Sequence, residues 1–288
     1  MGFLEQRANL AGRSAIVVGG GGGLGRACAL DLAAAGVRVA LCDRNETLLA
    51  ETEGMIVDAG GVVMTGVLDA RQPELLAAFF DAVDDVYGPR LDVLLNVVGG
   101  TFLQSFADSS PRGWDALIRT NFTWLLHSTH LAVPRMRDAG GSIINITSIE
   151  AHRAAPGYAV YAAMKAAVTS LTRTLAVELG PDRIRINTIA PDMVPTEGIP
   201  GREFLDPEIA RASIPMGRAG TYEDVGGCAL FLASDLSRYV TGTSMHPDGG
   251  AVASSGWFNW PGLGFRNVVP RPALDGVLGA GEKGDPGA

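Results

Sequence analysis

Two sets of residues have the types and spacing to do chemistry. The first is a run of five glycines, Gly19–Gly23, followed by Leu24 and Gly25. Phosphate oxygens held by backbone N–H groups at a helix N-terminus need an approach that side chains would block, and the helix dipole favours negative charge there. Two dinucleotide spacings fit, Gly20-x-Gly22-x-x-Gly25 and Gly19-x-x-x-Gly23-x-Gly25. A lone match of either kind is weak, because a simple glycine loop reads the same way. Asp43 strengthens it. About 20 residues on, at the end of the next apolar run, a carboxylate can accept hydrogen bonds from an adenosine ribose and repel a 2′-phosphate. That favours NAD(H) over NADP(H), although adjacent Arg44 offers a phosphate some accommodation. The structural alternative for Asp43 is a solvated strand end.

The second set is Tyr161-Ala-Ala-Met-Lys165. Positions i and i+4 lie one turn apart on a helix face. An ammonium near a phenol favours the phenolate and lowers its pKa, which makes a general base near neutral pH. The pattern alone is common in ordinary amphipathic helices. Its neighbours change its weight: Ser148 follows an apolar run, at the carboxyl edge where α/β sheets place their ligands. Asn96 ends another such run, and Asn121 lies within a long helical stretch.

The elements that must position these residues alternate along the chain. Runs rich in Val and Ile read as strands at Ser14–Gly19, Val37–Cys42, Gly61–Val67, Leu91–Leu95, Ser142–Ile146 and Arg183–Thr188, with Thr243–His246 as a seventh candidate. Helical stretches are Leu24–Ala35, Glu46–Ala59, Pro73–Tyr87, Pro111–Arg137 (one long helix or two), Tyr158–Leu179 and Tyr222–Ala233. This alternation predicts an α/β, doubly wound (Rossmann) three-layer fold with a central, mostly parallel seven-stranded sheet. Residues 1–255 read as one domain. In 256–288 the composition shifts to eight glycines and four prolines, the mark of a partly irregular C-terminal extension.

Composition narrows the function. The 288 residues carry a net charge of −8 and 19% charged positions, which argues against a polyanion binder, so no nucleic acid is expected, and against a disordered chain. There is no apolar stretch of about 18 residues and no secretory pattern at the N-terminus, so no membrane partner is expected. Cys28, Cys42 and Cys228 are far apart in apolar contexts, and the four histidines lack ligand spacing. Reduced thiols, no metal and a cytoplasmic location are the expectation.

Order, spacing and context together resemble the short-chain dehydrogenase/reductases, in their compact single-domain branch, from about residue 8 to 252. Gly19-x-x-x-Gly23-x-Gly25 is similar to that family's cofactor loop, and Asp69 to its adenine contact. Asn96-Val97-Val98-Gly99 resembles its Asn-Asn-Ala-Gly segment. Asn187-Thr-Ile-Ala-Pro191 and Tyr239-Val-Thr-Gly242 with Asp248-Gly-Gly250 look like its later signatures. Three positions depart: Val18 where Thr is usual, Val97 for the second Asn, and Asp192 for the Gly after Pro191. The first two put loop stability in question. Asp192 falls near the expected nicotinamide amide.

The resemblance implies a catalytic set of Asn121, Ser148, Tyr161 and Lys165. It implies cofactor contacts from Gly19, Gly22, Gly23, Leu24, Gly25, Asp43, Arg44, Leu68, Asp69, Asn96, Val97, Gly99, Pro191, Met193, Val194 and Thr196, besides Tyr161 and Lys165. The implied reaction is hydride transfer between the cofactor and a secondary alcohol or ketone. Tyr161 serves as base, Lys165 lowers its pKa and holds the nicotinamide ribose, Ser148 steadies the substrate oxygen, and Asn121 shapes a helix bend and holds a relay water. Thr147 is the rival hydroxyl and Tyr158 the rival phenol. Glu150 and His152 join Ser148 and Tyr161 as substrate candidates, with surface polarity as the alternative. Further candidates are Gly100, Thr101, the Met193–Ile214 segment and Trp257–Trp260, the last equally readable as packing of the tail. The expected cofactor is NAD(H) and the expected assembly a homotetramer or homodimer. The competing functions are an NADPH-linked ketoreductase and a non-catalytic nucleotide-sensing scaffold.

Overall fold

Strand residues that are apolar at every position belong between two layers, and the chain uses them so. In the computed structural model, which describes residues 2–196, 206–268 and 270, seven strands form one sheet. They are β1 (Ser14–Val18), β2 (Arg38–Asp43), β3 (Val63–Val67), β4 (Val93–Asn96), β5 (Gly141–Ile146), β6 (Ile184–Ile189) and β7 (Ser244–Met245). Their order is β3-β2-β1-β4-β5-β6-β7 and every pairing is parallel.

Alternation splits each strand between two cores. Ala15 and Val17 of β1, with Val39, Leu41, Leu95 and Ile144, pack on α2 (Gly23–Ala34) and α9 (Tyr222–Ala233). Ile16 and Val18, with Ala40, Leu94 and Ile143, pack on the other face. There they meet α4 (Pro73–Tyr87), α6 (Trp124–Met136) and α7 (Ala159–Glu178). The remaining helices are α1 (Phe3–Ala8), α3 (Glu46–Asp58), α5 (Pro111–Ile118), α8 (Pro207–Ser213) and α10 (Ala251–Ser254). The three-layer, doubly wound reading of the sequence is therefore what the structure has.

The sheet order reverses direction at β1, which lies between β2 and β4. A crevice opens there at the carboxyl ends of the strands. The loops after β1, β2, β3 and β4 all reach it.

Local differences from the sequence reading have physical causes. The stretch expected as one helix or two is a single helical run, interrupted between α5 and α6 by a π turn over Arg119–Thr123. Asn121 causes the interruption: its side-chain amide donates to the Leu117 carbonyl at 3.0 Å, inside the helix ladder. Beyond Ser255, the strands β8 (Phe258–Trp260) and β9 (Gly264–Arg266) form an antiparallel hairpin. Gly262, at φ +71°, turns it. The aromatic Trp257–Trp260 stretch is thus part of a hairpin, and it carries the turn signal Pro261-Gly262 that the composition reading passed over. Residues 271–288 of the expected extension, and 197–205 of the Met193–Ile214 segment, lie outside the described residues. No helix among the described residues is long and apolar enough to cross a membrane.

Candidate active site

The glycine loop joins β1 to α2 and is built around backbone contacts. Gly19 lies at φ +94°, and a Cβ there would sit 3.0 Å from the Val98 backbone nitrogen. A Cβ on Gly21 would press on the Asp43 carboxyl carbon at 2.9 Å, and one on Gly25 would overlap the Gly19 carbonyl. Gly22 caps α2 and Gly23, Leu24 and Gly25 form its first turn, whose N–H groups have no carbonyl one turn back to bond. The residues present therefore fit a phosphate-bearing cofactor: a cradle without side chains, at a helix N-terminus.

Asp43 ends β2 and closes one side of the loop. Its carboxylate accepts from the Gly21 N–H at 3.1 Å and from the Asn45 N–H at 3.0 Å. A cavity of about 420 Å³ opens beside it, and its lining includes Gly19, Asp43, Arg44, Leu68, Asp69, Val97 and Gly99. Seven of the sequence-derived cofactor residues thus meet around one cleft. Asp69 is held by Arg71, whose guanidinium donates at 2.6 Å and keeps the carboxyl below its usual range.

Asn96 is different. It ends β4 but its side chain is buried away from the cleft, donating to Asn145 Oδ1 at 2.8 Å and accepting from Ser128 Oγ at 2.7 Å. Asn145 in turn donates to Thr172 Oγ1 at 3.0 Å. This chain of buried polar groups runs from α6 through β4 and β5 to α7. Its side chain ties the strand ends together. It does the work that Val18 and Val97 cannot do with their side chains. Their backbones help, since Val97 N–H donates to the Val18 carbonyl at 2.9 Å.

The second set of residues gathers on the far side of the crevice. Ser148 follows β5 and its Oγ accepts from the Glu150 N–H at 3.2 Å. Tyr161, on the first turns of α7, lies near enough that the Ser148 hydroxyl pulls its phenol pKa down. Thr147, the rival hydroxyl, is buried and donates to the Ile189 carbonyl at 3.2 Å. Tyr158, the rival phenol, packs edge-on against Tyr161.

One turn on from Tyr161, the Lys165 ammonium lies 5.7 Å from the Tyr161 ring centre and donates to the Ile146 carbonyl at 3.0 Å. Asn121 makes a two-way bond with Gly100, accepting from its N–H at 3.2 Å and donating to its carbonyl at 2.9 Å. A Cβ on Gly99 would crowd both Asn121 Oδ1 and Lys165 Nζ, each at 3.1 Å, so a side chain there would have to displace one of them.

The electrostatics correct one expectation. Lysine was expected to depress the tyrosine. Instead, burial pushes the Tyr161 phenol up, the nearby Ser148 hydroxyl pulls it down, and the charges of Glu150 and Asp192 push it up again. Burial also lowers the Lys165 ammonium to about 8.

After β6 come Pro191, Asp192, Met193, Val194 and Thr196. The Pro191 carbonyl accepts from the Ile149 N–H at 3.3 Å, which pins this loop to the one bearing Ser148. Glu150 is paired with Arg153 at 2.8 Å. His152 sits edge-on to His246 with ring centres 4.6 Å apart, exposed. Burial first, then His246 and Arg173, keep its imidazole below its usual value.

Sequence reasoning passed over Arg26 and Thr52, which clamp the glycine loop. Arg26 donates to the Gly21 carbonyl at 3.0 and 3.2 Å, and Thr52 donates to the same oxygen at 2.8 Å. Arg26 directly follows Gly25, which was a signal. Thr52, in the middle of α3, offered none. Ser128, Asn145 and Thr172 were likewise unmarked, because a polar residue in an apolar stretch does not say what it will bond.

Comparison with known proteins agrees with this architecture. Residues 19–252 match the family model described as enoyl-(acyl carrier protein) reductase. The chain is 36% identical over 252 residues to the 3-oxoacyl-(acyl-carrier-protein) reductase of Thermotoga maritima, covering 84% of this chain and 99% of that protein. It is also 36% identical over 255 residues to 3beta-hydroxysteroid dehydrogenase 1 of Eggerthella lenta, covering 86% and 97%. Among solved structures, carveol dehydrogenase from Mycobacterium avium in complex with NAD superposes with a TM-score of 0.78 at 30% identity, covering 84% of this chain and 98% of that one.

Proposed function

The chain belongs to the short-chain dehydrogenase/reductase family, whose members are oxidoreductases that bind nicotinamide cofactors, and from that premise we propose that it is an NAD-dependent alcohol dehydrogenase or ketone reductase. It transfers a hydride between a secondary alcohol or its ketone and the cofactor. One observation carries this reading: the Lys165 ammonium lies 5.7 Å from the Tyr161 ring centre, with the Ser148 hydroxyl near enough to act on the same phenol.

The glycine loop, Asp43, Leu68, Asp69, Val97 and Gly99 would hold the dinucleotide, and Pro191, Met193, Val194 and Thr196 its nicotinamide end. A bound nicotinamide supplies the hydride acceptor for oxidation. Ser148 Oγ hydrogen-bonds the substrate oxygen and steadies it as the carbonyl forms. Tyr161 Oη, as phenolate, takes the hydroxyl proton while the carbinol hydrogen leaves as hydride. Lys165, one turn on from Tyr161, would hold the nicotinamide ribose. In reduction Tyr161 returns the proton.

Tyr161→Phe tests the assignment. Alcohol oxidation falls by at least about 100-fold, while NADH binding, followed by fluorescence, persists. Wild-type turnover in the variant overturns it.

NAD(H) is favoured because the Asp43 carboxylate borders the cleft where a 2′-phosphate would sit. The NADPH-linked ketoreductase reading draws on Arg44, which lines the same cleft and whose charge reaches Asp69. Equal or better turnover with NADPH selects it. We also read the protein as a cytoplasmic homotetramer or homodimer. Its cysteines are free, and Leu126 on α6 and Val177 on α7 are exposed apolar residues. A monomer in light scattering at micromolar concentration contradicts the assembly.

A further inference from the structure

The loops after β5 and β6 are joined by the 3.3 Å bond from the Ile149 N–H to the Pro191 carbonyl, next to Ser148, and carry an ion-paired cluster. Arg153 Nη2 lies 2.8 Å from Glu150 Oε1 and 3.6 Å from Asp192 Oδ2. The second separation is too long for a hydrogen bond. Asp192 Oδ2 is fully buried and has no hydrogen-bond partner among the described residues; the side chain as a whole is 13% exposed. Burying a carboxylate oxygen without a donor is costly, and a glycine is usual at this position in proteins of this pattern. The next residue, Met193, adopts φ +49°, a conformation that strains a residue with a side chain. The chain therefore keeps, on a strained turn, a carboxylate whose Oδ2 meets Arg153 only at ion-pair distance and has no hydrogen-bond donor, close enough for its charge to act on Tyr161.

The sign of the surroundings restricts what could meet it. Glu150, Asp192 and Asp248 outnumber Arg153, and Arg153 is already engaged by Glu150. An anionic group would be repelled. A neutral or cationic donor would be drawn in and would satisfy the free oxygen.

We infer that Asp192 is a specificity-determining residue that accepts a hydrogen bond from a hydroxyl or ammonium group carried by the substrate beside its reacting carbon. The substrate is then a vicinal diol or amino alcohol, or the matching ketone, rather than an unfunctionalised alcohol. Arg153 is a positioning residue that holds Glu150 and Asp192 in place. This inference rests on the alcohol dehydrogenase reading above, since it specifies the substrate of that same site.

The test measures kcat/KM with NAD⁺ for matched triads, in an open four-carbon series and a six-membered-ring series. Each triad is a secondary alcohol, its vicinal diol and its vicinal amino alcohol. The wild type is expected to prefer a donor-bearing member about 10- to 100-fold, the range for one hydrogen bond to a charged group. Asp192→Gly is expected to collapse that preference to within about threefold, through KM more than kcat. Asp192→Asn, nearly isosteric, separates the sources: its amide oxygen still accepts from a diol but lacks the charge that favours an amine. Circular dichroism establishes that both variants are folded. The inference is overturned if the wild type shows no preference in either series, or if Asp192→Gly keeps it. Absence of NADH formation from every compound, or wild-type rate in Tyr161→Phe, overturns the dehydrogenase reading and this inference with it. Failure of the inference alone leaves Tyr161-dependent oxidation of the plain alcohols in place.

Discussion

The Lys165 ammonium donates to the Ile146 carbonyl at 3.0 Å, at the end of the strand that leads to Ser148. The lysine is 4% exposed. One buried cation thus joins the helix that carries Tyr161 to the strand that delivers its hydroxyl partner, and burial alone brings its pKa to about 8.

Replacing it with an apolar residue of similar length separates charge from scaffold. Lys165→Met should lower kcat/KM for alcohol oxidation by at least about 100-fold. Its Tm should move by no more than about 4 °C, because removing the cost of burying a cation offsets the lost bond to Ile146. A large Tm loss in calorimetry with proportionate loss of activity would make Lys165 a structural residue.

Cofactor choice rests on Asp43. Asn at this position keeps an oxygen for the Gly21 N–H, now at 3.1 Å, but removes the charge that opposes a 2′-phosphate. Asp43→Asn is expected to raise the ratio of kcat/KM for NADP⁺ over NAD⁺ by about tenfold or more, equivalent to about 1.4 kcal/mol. An unchanged ratio assigns the carboxylate to loop structure alone.

Two glycine-to-alanine changes should act in opposite directions. The Cβ of Gly25→Ala would overlap the Gly19 carbonyl, so the loop must open and nucleotide binding should weaken by at least about tenfold in fluorescence titration. Gly54, in the middle of α3, has nothing within 4 Å of an added Cβ. Gly54→Ala should stabilise the protein by about 0.5–1 kcal/mol in urea melts and leave binding alone.

Stability should depend on pH through Asp192. Burial, with the charges of Glu150 and Asp248, raises its carboxyl from the ordinary 3.8 to about 6; Arg153 acts the other way. The folded protein therefore binds more protons than the unfolded chain between those values. The stabilising contribution is complete below about 3.8 and is lost as pH rises through about 6. Relative to wild type, Asp192→Asn should gain up to about 3 kcal/mol between pH 4 and pH 7.5. Urea unfolding at both pH values measures it, and a difference independent of pH sinks the idea.

The residues differ in how much of their role could be read from the chain. Gly19 to Gly25, the Tyr161–Lys165 spacing and the alternation of strands and helices were legible because each is a local pattern. Helix period, strand period and backbone freedom act within a few residues, so their signatures survive in one dimension. Asn96 was legible as a strand end but not in its partner, since Asn145 is 49 positions away and Ser128 is 32. Tertiary structure alone decided that Asn121 would break the helix ladder to bond Gly100, and that Arg26 and Thr52 would grip the carbonyl of Gly21. It also decided the direction of the Tyr161 pKa, because desolvation depends on what packs around a phenol rather than on the lysine four residues on. Asp192 shows both limits. The sequence marked it as an unusual residue after Pro191, and only the packing of two distant loops left its Oδ2 buried without a hydrogen-bond donor, between the charges of Glu150 and Arg153.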